Sequence, residues 1–358
     1  MAQNRDNKPA KVLMARFSAL GDVAMTVPVV YSACLSAPHV QFTLVTRPGM
    51  TSIFQACPPN LTVVGADVKN EYSGIGGLRR LSEQLVKTYK PDVFVDLHNV
   101  LRTKIMAAFM RLRGIPVKQL YKPRAQRKAL TKQKNKILEP VGSQIDRYRK
   151  VFLDAGLCVE PLFSGLYKAR ASAPQSDFAA ITTPKPDGIK WIGVAPFAAH
   201  DTKIYPQPLM DKVLELINAE AAATPLRIFL FGGGASEKEI CEQWEKRYKS
   251  VTSLAGKRYG FAAELALMNH LDVMLSMDSS NMHLASIAGC PVVSIWGATH
   301  PYCGFTPWNA VESDMIQLPL PCRPCSVFGN KACPKASLPC MAGIDPQKVF
   351  GKIIEHLQ

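Results

Sequence analysis

The sequence predicts two α/β domains, each built on a parallel β-sheet. Short apolar runs alternate with segments of helical periodicity twice along the chain, which is typical of parallel strands covered by helices. A proline-rich stretch at about 160–188 separates the two series and has the composition of a linker. The length of 358 residues also fits two domains of about 150–200 residues each better than one.

The first half of the chain contains four predicted strands, at 11–16, 41–46, 61–66 and 92–97. Helical patterns follow at 76–89 and 100–112, and another begins after the turn-like segment FSALGD. In that helix, Pro28 either begins the regular helix or kinks it. Residues 120–137 are too polar and basic to form core.

The second half repeats this organisation with five predicted strands, at 191–196, 227–232, 251–256, 272–278 and 291–297. An amphipathic helix at 345–357 closes the chain. We therefore expect domains at 1–165 and 189–358, joined by a linker at 166–188.

Composition excludes several classes of protein. A hydrophobic fraction of 47% and a mean hydropathy of +0.01 exclude wholesale disorder. No stretch approaches the roughly 18 uninterrupted apolar residues of a membrane-spanning helix. The N-terminus is polar and charged before its first apolar run, unlike a signal peptide. We expect a soluble cytoplasmic protein, with a membrane surface as a further place for it to bind.

The net charge of +15 lies entirely in the first half. Residues 1–170 carry 27 Lys and Arg against 11 Asp and Glu, whereas residues 171–358 carry 16 against 17. Between Arg111 and Lys136 there are ten basic residues and no acidic one. This segment is either a solvated basic face or a surface for polyanions, namely nucleic acid, anionic lipid headgroups or phosphorylated glycans.

Candidate functional residues lie where predicted strands give way to helices. After the first strand, Ser18 and Gly21 form a turn in which glycine permits a close backbone approach, and Asp22 stands at a helix start. Asp22 has two interpretations, a helix cap or a general base that takes a proton from a bound hydroxyl. The local sequence favours the cap.

A second junction, in the other half, combines an acidic residue with small polar residues: Asp278, Ser279, Ser280, Asn281 and then His283. Free N–H groups and hydroxyls at a helix N-terminus favour an anion such as a diphosphate. A serine N-cap explains the same residues, and the two interpretations are compatible.

Two further junctions carry weaker signals. Gly232, Gly233 and Gly234 follow a strand, and Glu237 is placed to accept a hydrogen bond from a ribose hydroxyl, although no complete nucleotide-binding fingerprint is present. Lys203 follows the strand at 191–196 and is placed to meet a phosphate, or else is a solvated loop lysine.

Taken in order, these motifs resemble glycosyltransferase family 9, the bacterial lipopolysaccharide heptosyltransferases. The family's S-x-x-G-D signature is matched by Ser18, Gly21 and Asp22, and its D-L-Q-x-x-x-R by Asp96-Leu97-His98-Asn99-Val100-Leu101-Arg102. Its D-[ST]-G-x-x-H-x-A is matched by Asp278-Ser279-Ser280-Asn281-Met282-His283-Leu284-Ala285. The resemblance runs from about residue 11 to 355.

The resemblance implies a GT-B fold, with two Rossmann-like domains facing each other across a cleft. The C-terminal domain would bind a nucleotide-sugar donor, typically ADP-heptose, and the basic N-terminal domain an anionic lipopolysaccharide core at the inner membrane. Transfer would invert the anomeric centre without a metal, with Asp22 as base and Lys203 stabilising the departing diphosphate.

The implied donor-binding residues are Gly232, Gly233, Glu237, Asp278, Ser279, Ser280, Asn281 and His283. The implied acceptor-binding residues are Ser18, Gly21, His98, Asn99, Arg102, Arg124, Arg127 and Lys128. The chain departs from the family pattern at two of these positions. Ser280 replaces a glycine of the phosphate loop, and His98 replaces a glutamine.

Four of the ten cysteines are clustered near the C-terminus: Cys322, Cys325, Cys333 and Cys340. Their C-x2-C-x7-C-x6-C spacing, in a loop-rich stretch at 320–341, resembles an all-cysteine structural zinc site. Reduced thiols in a loop, or an adventitious disulfide, are the alternatives. The other six are scattered and read as reduced thiols, mostly in core positions.

Three rival functions remain at this point. A nucleic-acid-binding protein would use the basic segment, which has few aromatic residues and no binding motif. A non-catalytic sugar-nucleotide binder would not need Asp22. A family member with another nucleotide-sugar donor is not excluded by the sequence. We expect heptose transfer, and no nucleic-acid partner.

Overall fold

The computed structural model describes residues 9–168, 172–221, 224–335 and 337–358. The chain divides into two compact units. The first comprises the described residues up to Lys122 together with Gln144–Leu166, and the second comprises Pro123–Ser143 and Tyr167–Gln358. Among the described helices, none has the length and apolar character needed to cross a bilayer.

The first unit contains a five-stranded parallel sheet in the order β3-β2-β1-β4-β5. Its strands are β1 (Lys11–Ala15), β2 (Gln41–Thr46), β3 (Leu61–Gly65), β4 (Val93–Asp96) and β5 (Val117–Gln119). The central strands β1 and β4 are buried almost throughout, because helices cover both faces of a parallel sheet. This order places the carboxyl ends of β1 and β4 side by side.

The α-helices among the described residues of this unit are α1 (Leu20–Ala24), α2 (Val27–Ser36), α3 (Gly74–Tyr89), α4 (Leu101–Leu112) and α6 (Gln144–Asp154). Pro28 lies in the first turn of α2, so it begins that helix and does not kink it. One core joins β1 and β4 to α3 and α4 through Leu13, Phe94, Leu81 and Met106.

The second unit contains a six-stranded parallel sheet in the order β11-β10-β9-β6-β7-β8. Its strands are β6 (Lys190–Ala195), β7 (Leu226–Leu230), β8 (Val251–Ser253), β9 (Val273–Met277), β10 (Val292–Ile295) and β11 (Met315–Ile316). The central pair β6 and β9 is the counterpart of β1 and β4.

The helices of this unit are α5 (Arg124–Leu130), α7 (Gln207–Glu220), α8 (Ala235–Arg247), α9 (Phe261–Asn269), α10 (Ser280–Ala288), α11 (Pro339–Ala342) and α12 (Pro346–Glu355). The apolar face of α12 packs on α7 through Val349 and Ile353, which are fully buried. The amphipathic closing helix predicted at 345–357 is therefore confirmed.

The division of the chain differs from the expected boundaries in one segment. Residues 123–143, expected in the N-terminal domain of 1–165, pack with the second unit. Leu130 is fully buried there, and the Lys136 ammonium donates to the carbonyls of Pro321 and Pro324 at 3.2 and 3.1 Å. A segment that is basic in sequence is thus anchored by one apolar side chain and by carbonyl acceptors.

The stretch predicted as a linker, residues 166–188, also packs on the second unit from Tyr167 onward, apart from residues 169–171, which lie outside the described residues. Phe178 is fully buried and meets the ring of Trp191 edge-on at 6.2 Å. Proline content suggested a free connector, but an aromatic anchor within the stretch holds it against the unit.

Candidate functional site

The turn between β1 and α1 presents Asp22. The residue is the third of α1, and its Oδ2 accepts a hydrogen bond from the Ala19 backbone N–H at 3.3 Å. Asp22 is therefore not the N-cap that the local sequence favoured, which is Ala19, but as the third helical residue it reaches back to the N–H of the cap. About a quarter of the side chain, 26%, stays exposed, so capping leaves the carboxylate open to solvent.

Arg16, at the end of the first strand, holds this carboxylate. Its Nη2 lies 2.6 Å from Asp22 Oδ2, and its Nη1 donates to the Leu97 carbonyl at 2.8 Å. The Arg16 side chain is only 6% exposed, and a guanidinium this deep needs a counter-charge. Asp22 supplies that charge, while the Tyr148 hydroxyl donates to the Asp22 carbonyl at 3.3 Å. Sequence reasoning missed Arg16, although a charged residue that ends an apolar strand was a signal.

The turn between β4 and α4 is organised by Asp96. Its Oδ1 accepts from the backbone N–H groups of His98 and Asn99 at 2.9 and 2.7 Å, and its Oδ2 accepts from Gln119. Asn99 adopts a left-handed conformation with φ of +49°, and its side chain donates to the Leu120 carbonyl at 2.7 Å. These bonds fix the positions of His98 and Asn99, two of the residues predicted to bind the acceptor.

His98 is a neutral, buried side chain. Burial lowers the pKa of its imidazole to about 3, and the positive charges of Arg16, Lys122 and Arg102 act in the same direction. Its Nε2 lies 3.5 Å from the Ser18 hydroxyl. The first unit thus brings together Ser18, Asp22 and His98, while Arg102 is exposed in the first turn of α4.

Arg124, Arg127 and Lys128 lie on helix α5, which belongs to the second unit and not to the first. Arg127 donates to the Cys303 carbonyl at 3.2 Å, and its guanidinium stacks 4.4 Å from the centre of the Phe305 ring. The expectation that these residues belong to the acceptor-binding domain is corrected accordingly. Arg124 and Lys128 are exposed, whereas Arg127 is committed to packing.

Asp278, directly after β9, is the centre of the second unit's candidate site. Its Oδ2 accepts from the Thr299 hydroxyl at 2.7 Å and lies 3.0 Å from the Lys203 ammonium. Both side chains of the ion pair are largely buried, at 13% exposed for Lys203 and 9% for Asp278. Lys203 is therefore not a solvated loop lysine.

The helix that follows offers its N-terminus to a ligand. Ser279 is the N-cap of α10, and among the described residues its hydroxyl contacts Ser276 Oγ at 3.2 Å and makes no bond to the helix amides. Ser280 and Asn281 are the first two helical residues, and His283 is buried in the first turn. Uncapped amides and the helix dipole together favour an anion at this end.

The glycine turn after β7 places Glu237 differently from the expectation. Its Oε2 accepts from the backbone N–H groups of Gly233 and Gly234 at 2.7 and 3.1 Å, so the carboxylate caps its own helix, α8. A side chain at Gly232 would crowd that carboxylate and Ala255, whereas Gly233 faces open space. The turn therefore keeps its backbone open at Gly233.

Two residues of the cysteine-rich loop support the Lys203–Asp278 pair. The Gly329 carbonyl accepts from the Thr202 hydroxyl at 2.5 Å, and a Cβ atom at Gly329 would collide with the aliphatic stem of Lys203. Arg323, buried, donates to the carbonyls of Gly297 and Thr299 at 2.5 and 2.9 Å. Since Thr299 also binds Asp278, the loop braces the pair from two sides.

The four cysteines of this loop carry free thiols; Cys340 is buried and the other three are partly buried. Within the described ranges, no three His, Cys, Asp or Glu side chains are placed to share one metal ion. As placed, the four thiols do not fit a tetrahedral zinc site, which needs four sulfurs around one point. Zinc at Cys322, Cys325, Cys333 and Cys340 stays a prediction from spacing, and metal analysis of the purified protein tests it.

Comparison with known proteins identifies the family. The model of glycosyltransferase family 9 (heptosyltransferase) matches residues 78–335, well over half of the chain. The chain belongs to glycosyltransferase family 9.

Two curated proteins are similar to this chain in sequence. Lipopolysaccharide heptosyltransferase 1 of Pseudomonas aeruginosa is 23% identical over 325 residues, which cover 88% of this chain and 86% of that protein. Lipooligosaccharide heptosyltransferase 2 of Campylobacter jejuni is 26% identical over 129 residues. That match spans 35% of this chain and 40% of the Campylobacter protein, less than half of its length.

A solved structure supports the fold. The ADP-heptose lipopolysaccharide heptosyltransferase II of E. coli superposes with a TM-score of 0.69 at 16% identity, covering 97% of this chain and 98% of that chain. The GT-B class expected from the sequence is confirmed as an α/β fold with two parallel sheets.

Proposed function

We propose that this family 9 member transfers a heptose from ADP-heptose to a lipopolysaccharide core. The observation that carries the proposal is the Lys203–Asp278 pair beside the N-terminus of α10. A buried ammonium next to uncapped helix amides is a site for a diphosphate. The names of the relatives, all heptosyltransferases, supply the sugar and the acceptor class.

The proposed reaction is a single displacement. Asp22 removes the proton from the acceptor hydroxyl as its oxygen attacks the anomeric carbon of the donor. The bond from that carbon to the diphosphate oxygen breaks, and ADP leaves with the electron pair. One displacement inverts the anomeric centre, and the charge that develops on the diphosphate is met by Lys203 and by the amides at Ser279–Asn281.

No metal ion takes part in this proposal, because a lysine ammonium and helix amides supply the positive charge that leaving-group departure requires. Turnover that persists after dialysis against EDTA would support this proposal. Turnover that is lost, and restored by one divalent metal, would contradict it.

We assign acceptor recognition to Ser18, His98, Asn99 and Arg102, which lie at the carboxyl ends of β1 and β4. A neutral His98 offers one donor and one acceptor, as the amide of a glutamine does. The acceptor is anionic and lipid-anchored, so the protein works at the inner face of the inner membrane. Ser280, in place of the family's glycine, adds a hydroxyl at the diphosphate.

The test is a screen of purified protein against ADP-heptose and against UDP- and GDP-sugars. ADP-heptose alone should raise the melting temperature, and incubation with a core oligosaccharide should give a product heavier by one heptose. Stabilisation by another nucleotide sugar, with transfer of that sugar, would support the rival donor. Stabilisation without transfer to any acceptor would support a non-catalytic binder.

A further inference from the structure

Helix α4 exposes an apolar stripe that nothing in its own unit covers, over the residues described. Leu101 is 75% exposed and Leu112 is 82% exposed, which is unusual for leucine in a folded unit. Ala108 is also exposed, and Ile105 is half-buried. Residues at positions 101, 105, 108 and 112 fall on one side of an α-helix, so the four form a continuous stripe.

Basic side chains flank this stripe on both sides. Lys104 and Arg111 lie along one border, and Arg102 and Arg113 along the other. Arg113 pairs with Glu83 of α3 at 3.0 Å, and Glu83 also pairs with Arg79 at 2.9 Å. From Leu97 to Lys122 the sequence has six basic residues and no acidic one. The stripe is therefore apolar in the middle and positive at its edges.

We propose that this face of α4, defined by Leu101, Lys104, Ala108, Arg111 and Leu112, rests on an anionic lipid bilayer. A helix with an apolar stripe between basic borders lies in the plane of the interface, with leucines among the acyl chains and cations at the phosphates. A second copy of the chain is a poorer occupant, because two such faces would bring like charges together.

This inference rests on the proposed function, which gives the protein a lipid-anchored acceptor. The connection is direct in the fold, because α4 begins two residues after Asn99, at the turn that holds His98. If α4 lies on a bilayer, that turn lies at the bilayer surface as well. The acceptor sugar would then reach Ser18, His98 and Asn99 from the membrane side.

The test replaces the stripe and one border: Leu101→Gln, Lys104→Gln, Arg111→Gln and Leu112→Gln in one protein. Co-sedimentation is measured with vesicles of phosphatidylethanolamine and phosphatidylglycerol. Each cation near an anionic surface contributes about fivefold in partitioning, so the combined loss should exceed about tenfold. Wild-type binding should weaken as salt is raised, and it should be lower on phosphatidylcholine vesicles.

A matched control removes two leucines and two lysines elsewhere in the same unit: Leu35→Gln, Leu153→Gln, Lys69→Gln and Lys87→Gln. Leu35 and Leu153 are 49% and 59% exposed, and Lys69 and Lys87 are exposed. This protein should sediment like wild type, although its charge change is the same. Equal loss in both proteins, or loss in neither, would overturn the proposal.

Activity separates this inference from the proposed function. The α4 variant should transfer heptose to a soluble, deacylated core oligosaccharide at the wild-type rate and lose transfer to acceptor embedded in vesicles. If none of the three proteins transfers heptose, the proposed function is wrong. If vesicle binding still depends on α4 in that case, the proposal that α4 contacts the membrane is supported. If the variant changes the oligomeric state in light scattering and leaves vesicle binding intact, the face is a self-association surface and the proposal is wrong.

Discussion

The guanidinium of Arg16 lies 2.6 Å from the carboxylate of Asp22 and, in the same unit, donates to the carbonyl of Leu97. One buried side chain therefore connects the turn after β1 to the turn after β4. Both turns carry residues that we assign to acceptor binding or catalysis. The position of the proposed base is set by an ion pair as well as by its own helix.

Asp22→Asn should abolish transfer and leave donor affinity nearly intact, while the fold loses some stability because the buried Arg16 loses its counter-charge. Asparagine keeps an oxygen that can accept from the Ala19 N–H but cannot take a proton, and loss of a general base costs about 10²–10⁴-fold in rate. The measurements are kcat and the Kd for the donor. If a well-folded Asp22→Asn protein turns over at the wild-type rate, Asp22 serves only to cap the helix.

Arg16→Met should lower kcat more than it changes the KM for the donor. The substitution keeps bulk but removes the charge that orients Asp22, and hydrogen bonds to charged groups are worth about 1.5–3 kcal/mol. Arg16→Lys should recover part of kcat, since it restores the charge without the two-pronged geometry. If both variants show the same kcat as wild type, Arg16 has no positioning role.

Lys203→Ala should weaken donor binding, slow turnover, or do both. Because a hydrogen bond to a charged group is worth about 1.5–3 kcal/mol, kcat/KM should fall by roughly 10- to 150-fold. Lys212→Ala is the matched control. Lys212 lies in the same unit and pairs with Glu215, but it is about half exposed. An equal, small effect of both substitutions would argue against a phosphate contact.

Gly329→Ala should impair catalysis through Lys203. An alanine Cβ would collide with the lysine stem, and the residue has a φ of +80°. Gly188→Ala, at a φ of +76° with open space around it, carries the backbone strain without the collision. Gly329→Ala should lose at least as much stability as Gly188→Ala, and only Gly329→Ala should lose donor affinity. Similar donor affinity in both would show that the loop does not position Lys203.

His98→Gln should make the stability of the protein less sensitive to acid. The pKa of His98 is about 3 in the fold and about 6.5 in an unfolded chain, so the unfolded state binds the extra proton between these values. The wild-type free energy of unfolding should therefore fall as pH drops from about 6.5, by up to about 1.4 kcal/mol per pH unit. His300, whose pKa burial lowers to about 4, contributes equally to both proteins. Parallel stability curves for the two proteins would contradict the burial of His98.

The elements with a strong apolar pattern were predictable from sequence. β2 begins and ends at the predicted residues 41 and 46, and the other predicted strands lie within one to three residues of their observed ends. The elements that sequence reasoning missed are short or polar. β5 consists of three half-buried residues, and β11 consists of only two residues, of which Ile316 is buried. Helix α5 has three basic residues among its seven, and its pattern gave no sign of a buried Leu130.

The residue types of the candidate site were predictable at the strand ends, but the contacts that these residues make were not. The turn residues Asp22, His98 and Asp278 were identified because each follows an apolar run. Thr299, Arg323 and Gly329, which brace Lys203 and Asp278, were not singled out, because the spacing of the loop at 320–341 draws attention only to its cysteines. Their contribution depends on contacts between residues about 20 to 130 positions apart.

The sequence by itself determined the two alternating α/β series, the strand ends that carry chemistry, and the family pattern. These follow from local periodicity, because burial on a sheet or a helix face repeats every two or every 3.6 residues. The tertiary structure alone decided that 123–143 pack with the second unit, that Arg16 links Asp22 to the β4 turn, and that α4 shows an uncovered leucine stripe. Such outcomes depend on which strands become neighbours and which faces find a partner, and no local pattern encodes that choice.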